Sequence, residues 1–174
     1  MRKLALVPFY FSPQQALLAP LADRLARSCG LKVHLHSPWF DPEEVFDFSR
    51  GQYHSTRLLE ALLHNCPPDL YRILGVTGAD LFIPVLTHVF GEAQLNGKAA
   101  VVSFHRLQSE LYGLPPDAAC LQERLCKEAL HELGHTFGLL HCRESHCVMH
   151  ASTYVEDIDL KSCSFCSACA AALS

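Results

Sequence analysis

The sequence has no run of the roughly 18 apolar residues that would carry a chain across a membrane. It also lacks a basic cluster: 14 Lys and Arg are scattered among 18 Asp and Glu, for a formal charge of -4. Gripping a phosphate backbone requires a concentrated positive surface, so nucleic acid is not an expected partner. Nine glycines and ten prolines in 174 residues are too few for a collagen-like or unstructured chain. No internal repeat or low-complexity tract is present. With 49% hydrophobic residues, a single domain of this length buries about 70% of the surface its unfolded chain exposes, and needs no disulfide framework to make up for a thin core.

A leader peptide is not evident either. Met1-Arg2-Lys3 and the apolar stretch from Leu4 to Phe11 imitate one, but Pro8 interrupts the stretch and polar Ser12-Pro13-Gln14-Gln15 follows without a small-residue cleavage site. The segment reads as a buried strand, and the expected location is cytoplasmic. What is plentiful is cysteine and histidine, nine and 11 respectively. An odd cysteine count argues against full disulfide pairing, and thiols beside imidazoles in a reducing compartment point to metal.

Periodicity sets out the chain. Ser12 reads as a helix N-cap, with Pro13 at the first helical position and Gln15 placed to close a capping box. The helix continues through Leu17, Leu21 and Leu25 to a stop at Gly30, with a kink at Pro20. Leu31, Val33 and Leu35 alternate with polar residues as a strand does. A second helix begins at Ser55 as its cap and carries Leu58, Leu59, Leu62 and Leu63; after Pro67-Pro68, Ile73 to Val76 forms a third strand. This β-α-β-α-β order implies a parallel sheet. The segments His88–Ala93 and Lys98–Ser103 then meet through Asn96-Gly97, a strong hairpin signal, so one of the two must run antiparallel. From about Asp117 a long helix presents Leu121, Leu125, Ala129, Leu133 and Phe137 as one stripe, and beyond Gly138 the composition turns to Cys, His, Ser and Ala.

The chemistry concentrates in the last third. In His131-Glu132-Leu133-Gly134-His135 the two histidines stand one helical turn apart and about 40° round, so both imidazoles can reach one ion. Glu132 then sits beside that ion without ligating it. Gly138 can adopt the positive φ that lets the chain leave the helix and return His141 as a third ligand. Three neutral imidazoles and an open fourth position make a catalytic zinc site. Further on, Cys142-x4-Cys147 and Cys166-x2-Cys169 offer four thiolates at spacings that suit tetrahedral zinc, although Cys163-x2-Cys166 is an equally good pair by spacing. Cys29, Cys66, Cys120 and Cys126 read as buried apolar residues.

The extended motif His131 to His141, followed at once by Cys142 and then by Cys147, Met149, Cys166 and Cys169, resembles the archaemetzincins (archaelysins) among the metzincin zinc peptidases. The likeness extends upstream to Leu74-Gly75-Val76-Thr77, Asp80-Leu81-Phe82-Ile83-Pro84, Phe90-Gly91-Glu92-Ala93 and Gly97-Lys98-Ala99-Ala100-Val101. It implies a structural second zinc on Cys142, Cys147, Cys166 and Cys169, with Cys163 a bystander. It implies Met149 as an apolar floor beneath the three histidines. It also implies a single antiparallel edge strand, His88, Val89, Phe90, Gly91, Glu92 and Ala93, along which an extended peptide lies. Some metzincins carry a tyrosine two residues after the methionine; here Ala151 holds that position and Tyr154 follows later.

The expectation is therefore an α/β zincin-type domain over residues 1–174. A mixed twisted sheet and ligand-bearing helix occupy 1–138, and a small zinc-clamped part occupies 139–174. Its activity is zinc-dependent peptide hydrolysis, with two zinc ions, Glu132 as general base, a peptide or protein substrate and a monomeric chain. Two other readings keep the motifs: a zinc-stabilised module that captures peptide without cleaving it, which the intact Glu132 disfavours, and a thiol protein working through Cys163, Cys166 and Cys169.

Overall fold

The computed structural model describes residues 2–11, 14–64 and 66–173. Five strands form the main sheet: β1 (Lys3–Phe9), β2 (Lys32–Leu35), β5 (Arg72–Thr77), β7 (Gly91–Ala93) and β8 (Ala99–Ser103), in the order β2-β1-β5-β8-β7. The first four are parallel, and β7 alone runs antiparallel, paired with β8. A second sheet joins β3 (Phe46–Asp47), β4 (Gln52–His54) and β6 (Leu81–Phe82), and Val89 bridges back to Leu81.

Central strands of a parallel sheet are covered on both faces, which is why β1, β5 and β8 read as near-continuous apolar runs. Their alternate residues feed two cores. Leu4, Leu6, Leu74, Val76, Ala100 and Val102 pack with Leu21 and Leu25 of α1 (Leu18–Cys29) and with Leu125, Ala129 and Leu133 of α3 (Ala118–Thr136). Ala5, Val7, Ile73, Ala99 and Val101 pack with Leu58 and Leu62 of α2 (Ser55–Leu63) on the opposite face. Two short helices follow α3: α4 (Val155–Leu160) and α5 (Ser167–Ala172).

Several expectations shift. Ser12 and Pro13 lie outside the described residues. A 3-10 turn at Gln15–Leu17 leads into α1, so Pro20 falls in the first α-helical turn, where its missing N–H costs nothing, and no mid-helix kink is required. Gly30 does end the helix, at φ 63°. Ser55 is the first residue of α2 and not its cap; its hydroxyl donates instead to the Glu92 carboxylate, to which Thr56 Oγ1 also donates at 2.8 Å. Of the four cysteines expected in the core, only Cys126 is buried, while Cys29, Cys66 and Cys120 are partly exposed.

The ends of α3 are fixed more firmly than propensity alone would fix them. Asp117 caps its start by accepting the Cys120 N–H at 2.9 Å. At the far end Arg72 donates to Thr136 Oγ1 and to the Thr136 carbonyl, both at 3.2 Å. The tip of the β7–β8 hairpin docks there too: Asn96, itself at φ 52°, donates its N–H to the His135 carbonyl at 2.8 Å. Gly138 leaves the helix at φ 94°, as the motif requires.

Candidate active site

α3 carries His131 and His135 one turn apart, and the chain beyond Gly138 returns His141 to them. Their ring centroids lie 4.7 to 5.2 Å from one another. One ring nitrogen from each falls within 4.8 Å of the others. His131 Nδ1 lies 2.9 Å from the Val148 carbonyl and His135 Nδ1 lies 2.7 Å from the Leu139 carbonyl. A carbonyl only accepts, so both Nδ1 atoms carry the proton and both Nε2 atoms keep a lone pair. Burial, aided by the charge of Lys161, pushes the His131 imidazole down to about 3, and burial lowers His135 as well. These two Nε2 atoms face each other at 3.1 Å. Opposed lone pairs at that distance repel unless a cation lies between them, so the donor set fits a divalent metal.

Glu132 points from the same turn into a cleft of about 600 Å³ that the three histidines also line. Burial, reinforced by the carboxylates of Glu128 and Glu92 and offset by Lys161, holds its carboxyl well above the usual carboxylate range. Gly91 of β7 passes directly over it: a Cβ there would lie 2.7 Å from Glu132 Cγ and 2.8 Å from Oε1. Only glycine lets the edge strand come so close.

All six residues from His88 to Ala93 line the cleft, but the strand itself is shorter than expected and covers Gly91–Ala93. His88–Phe90 form the approach to it, because Val89 is drawn off to pair with Leu81. Ser103 N–H donates to the Phe90 carbonyl at 2.8 Å, Gln94 N–H to the Ala99 carbonyl at 3.0 Å, and Glu92 stands opposite Val101. Antiparallel ladders alternate, so the intervening Gly91 and Ala93 turn their N–H and C=O groups to the open edge.

Met149 is fully buried, in a turn closed by the His150 N–H and the Cys147 carbonyl at 2.9 Å. Its sulfur occupies the space a side chain at Gly134 would need, 2.3 Å from where that Cβ would be. It therefore packs on the helix between the two histidine-bearing turns. Cys142, Cys147, Cys166 and Cys169 bring their four Sγ atoms within 4.8 Å of one another. A backbone hydrogen bond at Cys169, then thiol contacts with its neighbours, pull the Cys166 thiol down to about 7 against its desolvation. Cys163 stands apart from that group: its thiol pairs with that of Cys126 on α3, whose own pKa the contact lowers to about 7.

Sequence reasoning missed several residues in and behind the cleft, Ser152 and Thr153 of its lining among them. Glu128, one turn before Glu132, is legible by helical spacing. Its partner Lys161 is not: a fully buried ammonium 2.9 Å from Glu128 Oε1 and 3.2 Å from the His150 carbonyl has no local signature. Leu86 and Thr87, on the approach to β7, also line the cleft. Ala151 and Tyr154 both line the cleft, with the tyrosine largely exposed.

A mixed sheet whose edge strand overlies three convergent imidazoles is the framework of a zinc metallopeptidase. The family model for peptidase family M54 matches residues 42–174. Archaemetzincin from Methanocaldococcus jannaschii is 45% identical over 128 residues, 74% of this chain and 69% of that protein. The crystal structure of archaemetzincin from Methanopyrus kandleri superposes with a TM-score of 0.86 at 37% identity, covering 99% of this chain and 93% of that one. A zinc-dependent peptidase from Methanocorpusculum labreanum gives a TM-score of 0.85 at 31% identity, covering 98% and 100%. The chain belongs to peptidase family M54, the archaemetzincins, and is a zinc metallopeptidase. No helix among the described residues is long and apolar enough to cross a membrane.

Proposed function

We propose that His131, His135 and His141 hold a catalytic zinc, that Glu132 is the general base of peptide-bond hydrolysis, and that Cys142, Cys147, Cys166 and Cys169 hold a second, structural zinc. The observation that carries this reading is the pair of opposed Nε2 lone pairs 3.1 Å apart, in the same cleft as the Glu132 carboxyl. Zinc bound there supplies a Lewis acid that polarises a carbonyl oxygen and acidifies water.

The chain's own groups do the rest. The open N–H and C=O groups of Gly91 and Ala93 pair with an extended peptide and lay its scissile bond above Glu132, as an edge strand receives an added strand. The Glu132 carboxylate takes the proton of the attacking water and hands it to the departing amine nitrogen. Its raised proton affinity suits a group that must accept a proton and then give it up. Met149 packs beneath the histidines as their apolar floor. The partner is a peptide or protein substrate, met by one compact domain acting as a monomer. Four cysteines kept as zinc ligands fit a reducing, cytoplasmic compartment.

The test is cleavage of a mixed peptide library by the zinc-loaded protein with and without a chelator, alongside Glu132→Gln. Chelation should abolish cleavage, and the variant should keep its zinc and fold while losing about 10²–10⁴-fold in turnover. Wild-type turnover by Glu132→Gln would end this reading of the base. Peptide binding without turnover by the wild-type protein would favour a capture module instead.

A further inference from the structure

The small sheet has no part in the chemistry described so far, yet it spends polar side chains on one short stretch of backbone. Gln52, buried at the start of β4, donates from Nε2 to the Thr87 carbonyl and to Asp80 Oδ2, both at 3.0 Å. Arg106 clamps that Asp80 carboxylate with two bonds of 2.7 Å. Arg50 donates from Nη1 to the Leu86 carbonyl at 3.1 Å while its guanidinium lies 4.4 Å over the Phe82 ring. The carbonyls of Leu86 and Thr87 are thus held from behind by residues more than 30 positions earlier in the chain. With its backbone pinned on that side, Leu86 lines the cleft and remains 51% exposed.

A single exposed leucine is ordinary. An exposed leucine on a rim whose carbonyls are individually fixed, in a cleft that also carries Val89, Phe90 and Tyr154 among its histidines and glutamates, is a different matter. Hydrogen bonds hold this loop while its apolar side chains Val85 and Leu86 stay exposed, and of these two Leu86 lines the cleft.

We propose that Leu86 is a specificity residue that selects peptides with an apolar side chain at the end of the cleft before β7, and that Arg50 and Gln52 are its positioning residues. The proposal deepens the peptidase reading and rests on the cleft being the peptide track. Covering Leu86 removes apolar surface from water, and one such contact supplies discrimination of about tenfold or more.

The experiment measures binding, so that it does not depend on turnover. Fluorescent decapeptides carry a single leucine walked along a glycine–serine–asparagine background. Their affinities are read by anisotropy in the zinc-loaded Glu132→Gln protein, with Leu86→Asn, Arg50→Met and Arg50→Lys added in turn. One leucine position should bind about tenfold more tightly than the all-polar peptide. Leu86→Asn should erase that gain while leaving the all-polar affinity within about twofold. Arg50→Met should reduce the gain at least about threefold with zinc content and melting temperature unchanged, and Arg50→Lys should restore part of it. Absence of any preferred position, an equal loss for every peptide, or a gain untouched by Leu86→Asn would overturn the proposal. If the wild-type chain binds with this preference but cleaves nothing, the catalytic reading fails and the specificity assignment stands.

Discussion

The histidine and cysteine clusters each gather metal-ligating side chains, but on different foundations. Two of the three histidines ride on a helix of 19 residues whose two ends are tied down, and both have the remote ring nitrogen held by a backbone carbonyl. Their orientation is therefore set before any ion arrives. The cysteines stand on two loops and a helix of six residues. What holds them is a handful of bonds, among them the Cys142 N–H to the Met149 carbonyl at 2.9 Å and the Cys166 N–H to Cys147 Sγ at 3.3 Å. One cluster is organised by secondary structure, whereas the proposed structural ion would organise the other. Losing a ligand should accordingly be a local event in the first and a folding event in the second.

The largest expected effect comes from breaking the weaker foundation. Cys166→Ser should cost about one zinc per chain and several kcal/mol of stability, roughly 10 °C in melting temperature for a domain of this size. Cys163→Ser, which alters a buried core thiol beside Cys126, should leave zinc content intact and lower the melting temperature by no more than about 4 °C. Metal analysis with thermal denaturation checks both, and zinc loss from Cys163→Ser would move the site. His141→Ala removes the one histidine of the first cluster that lies beyond the helix, leaving the helical pair in place. It should weaken the first zinc at least about 100-fold, beyond what loss of an outer partner costs, with the second zinc and the fold retained. Joint loss of both ions with unfolding would erase the contrast between the clusters. The smallest effect is expected at the strand between substrate and helix. Ala93→Pro removes an N–H that the sheet does not use, so kcat/KM should fall about tenfold while the melting temperature shifts by less than about 3 °C. Gly91→Pro is the poorer variant, because its ring would collide with Glu132.

What could be read from the sequence was what is local. The spacing of His131, Glu132, His135, Gly138 and His141 is a statement about one helix and its exit, and the Asn96-Gly97 hairpin is a statement about one turn. Apolar runs marked β1, β5 and β8 because buried parallel strands have no polar face. Strands β3, β4 and β6 have two or three residues each, too few to show a period. Ser55 imitated a cap because its true partner, Glu92, lies 37 residues away. Lys161 is soluble-looking in sequence, and only the fold reveals a carboxylate waiting for it. Cys163 could not be separated from Cys166 and Cys169 by counting; the separation comes from α3, which offers it Cys126.

The docking of Asn96 on the His135 carbonyl carries a consequence for how such a chain can vary. Hairpin tips are ordinarily where a protein tolerates extra residues, since nothing downstream depends on their length. Here the tip is a tie of defined length: its Asn96 N–H joins the hairpin of edge strand β7, the track we propose for the peptide, to the helix that bears Glu132. An inserted residue between Gln94 and Lys98 would leave both strands paired and the helix folded, yet would alter the clearance between them. On the proposed mechanism, tolerance to insertion, usually a property of the surface, is at this place a property of the reaction.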